Sequence, residues 1–336
     1  MTTFLHLAND KVAGRAWPDA FCRRVEELGE LRIVERAGEM NEAEVADLYR
    51  QADVAITSWG SCPIPKALAD APGRLKYVCH LTGSMKSFVP AEVVEAGIPV
   101  TNWGDAPANK VAEGAMALLL SALKDIHAHV RTVREGGWRL DANATGGTLW
   151  RADVGVYGLG VIGLRFLEML RPFGPTIRVY DPYASYVPPD CIVVSGLDEL
   201  FEQSEIIVIH AAWTPETEGS VTAGLLAKLP RHGVVVNTAR GAIIDQPALM
   251  AELESGRLRA GLDVTHPEPM PPDDPARQWT NCTLTAHQVE SGWPDSRDRP
   301  AGMMEMHQVC LDNLRRFAVG RPLRFVMTPQ RYLRST

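Results

Sequence analysis

The 336-residue chain has no surplus of basic residues: 34 Lys and Arg stand against 41 Asp and Glu, for a formal charge of −7. A general nucleic-acid or anionic-membrane binder carries the opposite sign, so neither partner is expected. Long apolar runs are also missing. The longest, Ala115 to Leu120, falls far short of the roughly 20 residues that span a bilayer. The opening MTTFLHLANDKVAG has no basic start followed by an apolar stretch, so no secretory signal is expected. Cysteine is sparse: Cys22, Cys62, Cys79, Cys191, Cys282 and Cys310 include no Cys-x-x-Cys pair. That spacing argues against a close-set zinc site, a redox dithiol or a disulfide scaffold, and it predicts reduced, mostly buried thiols and no metal. Internal repeats and Gly/Ser-rich linkers are absent as well. What remains is an ordinary globular composition, 46% apolar and 22% charged, in a chain long enough for two domains. A soluble cytoplasmic protein is the expectation.

The first hundred residues alternate short apolar runs with amphipathic ones. Phe4–Leu7, Leu31–Val34, Asp53–Thr57, Lys76–His80 and Ile98–Asn102 read as strands, and DAFCRRVEEL and NEAEVADLYR between them carry apolar residues at helical spacing. From Ala108 to Glu135 no proline interrupts, and Gly136-Gly137 follows, which predicts one long helix. A second alternating series starts at Asp153, with strands expected at DVGVYG, IRVYD, EIIVIHA, HGVVVNT, RAGLDV and CTLTAH. A final helical pattern, GMMEMHQVCLDNLRRFAVG, closes at Gly320. Strands alternating with helices imply parallel sheets covered on both faces. The expected fold class is therefore α/β, with two Rossmann-like lobes of doubly wound parallel sheet and a cleft between them. The last helix is expected to return to the first lobe.

Gly158-Leu159-Gly160-Val161-Ile162-Gly163 is a Gly-x-Gly-x-x-Gly placed directly after the strand VGVY, and it opens a helical pattern. In that context the first glycine serves a tight turn, the second lets a pyrophosphate approach the backbone, and the third lets helix and strand pack closely. Asp181 ends the next strand, eighteen residues after Gly163. A carboxylate there accepts from a ribose 2′-hydroxyl and repels a 2′-phosphate, which favours NAD over NADP.

Three later loops each leave a polar residue at or near the end of an expected strand: Arg240 in NTARGAIID, Asp263 with Glu268 in GLDVTHPEP, and His287 in TLTAHQ. A guanidinium fork matches a carboxylate in two hydrogen bonds. A histidine takes a hydroxyl proton as hydride leaves, provided that a carboxylate on its far nitrogen fixes its tautomer. Arg, Glu and His together suit oxidation of a 2-hydroxy acid, or reduction of a 2-oxo acid, beside a nicotinamide.

With these residues in view, the sequence resembles the D-isomer-specific 2-hydroxyacid dehydrogenases, a family that includes phosphoglycerate, glyoxylate/hydroxypyruvate and D-lactate dehydrogenases. The motifs GIPVTN, KVAEGAMALLL, VYGLGVIG, VYDPY, TPET, NTARGAIID, AGLDV, PEP, TLTAH and GRPL carry the resemblance. It implies two lobes with the active site between them, usually a homodimer, and NAD as cofactor. It implies a discontinuous substrate domain, 1–103 plus 291–336, and a NAD-binding domain, 104–290. It assigns Arg240 to the substrate carboxylate and carbonyl, His287 to acid/base catalysis and Glu268 to its partner. Gly160, Val161 and Ile162 would hold the pyrophosphate, with Gly158 and Gly163 completing the cofactor-binding loop, Asp181 the adenosine ribose, and Thr214 and Pro215 the adenine side. Asp263, Val111 and the main chain of Thr238 and Ala239 would lie at the nicotinamide end, with His287. Formate dehydrogenases of this fold have Gln at the Glu268 position, which argues against formate. The family's substrate loop commonly reads GAGVDNID, whereas here it is LTGSMKSF, in which the amides of Gly83 and Ser84 would hold the substrate carboxylate and Lys86 is available for a second polar group. After the histidine, QVESGW replaces a run of small residues such as IAGAT, placing Gln288, Glu290 and Trp293 where they would shape the pocket. Two further readings stay open: an NAD(H)-sensing binding protein of the corepressor type, and a reductase of a larger sugar acid.

Overall fold

The computed structural model describes residues 1–12, 16–142, 144–290 and 302–335. The chain forms two compact units, Met1–Pro107 with the described part of Trp293–Thr336, and Ala108–Gly292.

The first unit begins with β1 (Thr3–Leu7), α1 (Asp19–Glu26), β2 (Glu30–Val34), α2 (Glu42–Arg50), β3 (Val54–Thr57), β4 (Tyr77–His80), α3 (Ala91–Glu95) and β5 (Val100–Thr101). Its five strands are parallel in the order β2-β1-β3-β4-β5. Every residue of β1, β3 and β4 is buried, the signature of strands covered on both faces. The two-residue period sorts their side chains: Leu5, Leu7, Ala55 and Val78 enter one core, and Phe4, Val54, Ile56 and Tyr77 the other. Asn41 and Glu44 close a reciprocal capping box at the start of α2, with bonds of 3.0 and 2.9 Å. The strand expected over Ile98–Asn102 is shorter, Val100–Thr101; Pro99 just before it accepts from the Val78 N–H at 2.9 Å but has no N–H of its own to extend the ladder.

The second unit opens with α4 (Ala108–Leu123) and α5 (Ile126–Arg134). The single helix expected over 108–135 is therefore two. Asp125 takes a left-handed conformation (φ 53°, ψ 42°) and breaks the ladder. Its carboxylate lies 3.3 Å from Arg259, with both side chains almost fully buried. The break thus coincides with an ion pair to a distant strand residue, at a residue type that tolerates the left-handed region.

The unit continues with β6 (Asp153–Tyr157), α6 (Val161–Leu170), β7 (Thr176–Tyr180), β8 (Ile192–Val193), α7 (Leu197–Glu202), β9 (Ile206–Ile209), α8 (Ala223–Lys228), β10 (Val234–Asn237), α9 (Gln246–Glu254), β11 (Arg259–Leu262) and β12 (Cys282–Leu284). Seven parallel strands form one sheet, β12-β11-β10-β9-β6-β7-β8. The chain then supplies α10 (Glu305–Ala318) and α11 (Pro329–Arg334) to the first unit. Leu311 and Leu314 of α10 join Phe21 and Tyr77 in the core there. Cys62, Cys79, Cys282 and Cys310 are buried thiols, and Cys22 and Cys191 are half-buried. Among the described residues no helix is long and apolar enough to cross a membrane.

Candidate active site

From β6 the second sheet grows through β7 to β8 on one side and through β9 to β12 on the other. The carboxyl ends of β6 and β9 therefore flank a topological switch point, where open α/β sheets bind ligands. The glycine loop sits there, and its three glycines have separable reasons. Gly158 adopts φ +94°, and a Cβ on it would lie 2.4 Å from the Ala211 nitrogen. A Cβ on Gly163 would lie 2.5 Å from the Gly158 oxygen, so helix and turn meet without a gap. A Cβ on Gly160 would meet nothing within 4 Å. The fold itself requires the first and third glycines, while the second guards open space at the N-terminus of α6. No side chain caps that end, which leaves the amides of Val161, Ile162 and Gly163 without intrahelical acceptors, as an anion site needs.

Asp181 lies just past β7. Its Oδ2 accepts from the Leu159 N–H at 2.7 Å and its Oδ1 from the Tyr183 N–H at 2.8 Å, which fixes the carboxylate beside the glycine loop. After β9, the Thr214 N–H donates to Thr217 Oγ1 (2.8 Å), and that hydroxyl donates to the Ala212 oxygen (2.6 Å). This self-contained turn leaves Pro215 exposed. Two buried polar atoms at the carboxyl ends of β9 and β10 have no partner among the described residues: His210 Nε2 and Thr238 Oγ1. Burial pushes the His210 imidazole down to about 3, so it is neutral at ordinary pH. The open face at Gly160, the uncapped helix end, the fixed Asp181 and these orphaned atoms fit a dinucleotide.

The chemistry-bearing loops follow β10, β11 and β12. Fully buried Asn237 shapes the first: its Nδ2 donates to the Arg240 oxygen (2.8 Å) and its Oδ1 accepts from the Ala239 N–H (3.0 Å). Arg240 Nη1 donates to the Ala239 oxygen at 2.6 Å, and among the described residues no carboxylate stands within ion-pair distance of it. Burial pushes this guanidinium below its ordinary value, with the Glu268 charge opposing that shift. A Cβ on Gly241 would fall 2.1 Å from the Thr265 backbone, so the Arg240 turn is pressed against the segment leading to Glu268. Glu268 lies between two cis peptides, His266–Pro267 and Glu268–Pro269.

His287 Nδ1 stands 2.5 Å from Glu268 Oε1. A carboxylate only accepts, so Nδ1 carries the proton and Nε2 keeps a basic lone pair. His287 itself has φ +54°. Asp263 knits this loop together: its Oδ1 accepts from Thr285 Oγ1 (2.7 Å), the Gln288 N–H (2.8 Å) and the Val289 N–H (3.2 Å), and its carbonyl accepts from the His287 N–H (2.8 Å). Oδ1 of this expected nicotinamide contact is thereby committed to holding His287. Val111 lies in the first turn of α4, three residues before Gly114, whose Cβ position would meet Val289 at 2.4 Å.

Gly83 and Ser84 belong to the first unit, in the loop after β4. Lys86 donates to the Leu333 oxygen (3.3 Å) and lies 6.0 Å from the centre of the Tyr332 ring, so its ammonium is engaged with α11. Met85 is fully buried. Trp293 lies outside the described residues. The place of His210 depends on which strands are neighbours, so the sequence does not show it, whereas the Asn237 side chain bonds to Ala239 and Arg240, a local Asx-type turn whose signal is the Asn at the strand end. Among the described residues no cluster of three or more His, Cys, Asp or Glu has metal-binding geometry.

Residues 116–288 match the family model described as "D-isomer specific 2-hydroxyacid dehydrogenase, NAD binding domain". The chain is 31% identical to the human glyoxylate reductase/hydroxypyruvate reductase, over 73% of this chain and 84% of that one. It is 29% identical to the D-3-phosphoglycerate dehydrogenase of Methanocaldococcus jannaschii, over 85% of this chain but only 54% of that longer one. Among solved structures, a glyoxylate reductase from Paecilomyes thermophila superposes with a TM-score of 0.78 at 26% identity, covering 98% of this chain and 99% of that one.

Proposed function

Because the chain belongs to the D-isomer-specific 2-hydroxyacid dehydrogenase family, a family of NAD-binding oxidoreductases, we propose that it interconverts a small 2-oxo acid and the D-2-hydroxy acid. The observation that carries this reading is the His287–Glu268 pair at 2.5 Å, in the same unit as an Arg240 guanidinium that has no carboxylate partner among the described residues. When bound, NAD supplies the hydride acceptor and, reduced, the hydride donor at nicotinamide C4. His287 Nε2 takes the 2-hydroxyl proton as hydride leaves C2, and returns a proton to the carbonyl oxygen in reduction. Glu268 holds the imidazole in the tautomer that leaves Nε2 basic, and it steadies the imidazolium. Arg240 pairs with the substrate carboxylate and polarises the carbonyl. The amides of Gly83 and Ser84 donate to the same carboxylate.

In this reading residues 104–290 hold the cofactor, and 1–103 with 291–336 supply substrate contacts. Asp181 selects NAD over NADP. The active form is a homodimer: Ile126, Val130 and Val133 form an exposed apolar stripe on α5, accompanied by exposed Trp138, Leu140 and Trp150. The testing experiment follows loss of NADH absorbance against glyoxylate, hydroxypyruvate, pyruvate and longer hydroxylated 2-oxo acids, with NADPH in parallel. Turnover of at least one acid with NADH preferred is expected. No turnover on any of them, with NADH still binding, would overturn the proposal.

A further inference from the structure

The loop that offers Gly83 and Ser84 is gripped from behind. Three successive carbonyls each have a donor: Thr82 O accepts from the Trp103 N–H (3.4 Å), Gly83 O from Asn102 Nδ2 (3.3 Å), and Ser84 O from His80 Nε2 (3.1 Å). All three intervening peptides are trans. In a trans peptide the N–H points opposite to the carbonyl. Pinning these carbonyls therefore turns the N–H groups of Gly83, Ser84 and Met85 away from the gripping residues. None of the three donates to a protein group among the described residues.

The histidine is built for one hydrogen-bonding role. Ser84 O can only accept, so Nε2 carries the proton, and Thr82 Oγ1 at 2.8 Å from the same nitrogen shares it. Nδ1 then accepts from Thr57 Oγ1 at 2.9 Å. Thr57, His80 and Thr82 are almost wholly buried, and Phe88 stacks on the imidazole with ring centres 5.6 Å apart and planes 26° apart. Burial pushes His80 down to about 4, so the neutral ring with a single N–H is the form present at ordinary pH. Asn102 is fixed from its other end as well, its Oδ1 accepting from the Gly104 N–H at 3.0 Å. Trp103 leaves no room for a side chain at position 83: a Cβ there would lie 2.4 Å from its ring.

We infer that His80 and Asn102 are positioning residues for substrate binding, holding the 82–85 main chain so that three consecutive amides present an anion site to the substrate carboxylate. The inference rests on the proposed 2-oxo acid chemistry and adds the side chains that make the amide site rigid. Neither side chain needs to touch substrate.

The experiment measures KM and kcat for the best 2-oxo acid, the inhibition constant of oxamate, and the NADH dissociation constant, in wild type, His80→Ala, His80→Gln and Asn102→Ala. Removing one net hydrogen bond to the loop is expected to raise KM and the oxamate constant together by roughly 2- to 12-fold, more than it lowers kcat, with NADH binding unchanged. His80→Gln, which keeps an N–H near the Nε2 position, should recover part of the loss. Unchanged KM and oxamate constants, or a loss confined to kcat and thermal stability, would overturn the inference. Should His80→Ala fail to fold, Asn102→Ala carries the same comparison. Wild-type turnover with unaltered variants would sink only this inference, whereas a wild type inactive on every 2-oxo acid would take both readings down.

Discussion

In the proposed reading the Asp181 carboxylate accepts from the ribose 2′-hydroxyl and repels a 2′-phosphate, and its bonds to the Leu159 and Tyr183 N–H groups keep it from turning away. Asp181→Asn preserves size and one acceptor while removing the charge. The NADH KM is expected to rise by roughly tenfold or more, as for a charge-assisted hydrogen bond, while the NADPH KM falls. Parallel titrations of the two cofactors check it, and an unchanged preference would remove Asp181 from cofactor selection. The turn that carries these residues was legible in the sequence because it is local: Gly158, Gly160, Gly163 and Asp181 lie within one strand–turn–helix–strand unit. His80 was not legible: it looks like an ordinary polar strand end, and its role exists only once Thr57 of the neighbouring strand and the turn after β4 are folded onto it.

At the scale of the element, the Arg240 turn and the Glu268 loop meet at Gly241, where even a methyl group would strike the Thr265 backbone at 2.1 Å. Backbone atoms cannot swing aside as a side chain does, so Gly241→Ala is expected to cost about 1–3 kcal/mol by overpacking. It should also lower kcat by displacing Glu268 from His287. A melting temperature and kcat indistinguishable from wild type would show that the two loops are not braced at this point. The break between α4 and α5 teaches the complementary lesson. Hydrophobic periodicity in ALLLSALKDIHAHV runs on through the break; the one local signal is Asp125, a residue type that tolerates the left-handed region, and its carboxylate lies 3.3 Å from the buried Arg259 of β11. Periodicity located the elements well in the second sheet, while β8, two exposed residues long, carried too little pattern to be seen.

For the whole molecule, three histidines whose pKa is lowered by desolvation set an acid limit. Burial lowers His6 and His80 to about 4 and His210 to about 3, against 6.5 for an exposed imidazole. As pH falls below 6.5 the unfolded chain takes up these protons before the folded one. Their contribution to stability is therefore complete above pH 6.5 and is lost on descending to pH 4 and below, by about 1.4 kcal/mol per pH unit for each histidine. Urea midpoints should be flat from pH 7 to 8 and fall steeply from 6.5 to 4; a flat profile through pH 5 would contradict this. The apolar stripe on α5 makes a second whole-molecule prediction, a light-scattering mass of about twice 36.8 kDa. Val130→Glu should bring that mass to the single-chain value, and a wild type already at 36.8 kDa would remove the dimer. The central claim, proton transfer by His287 coupled to hydride transfer, is tested most directly by single-turnover reduction of the best 2-oxo acid with NADH in wild type and His287→Gln. The expected rate is lower by roughly 10²–10⁴-fold with NADH affinity retained; a loss of less than about tenfold would contradict general acid/base catalysis at this residue.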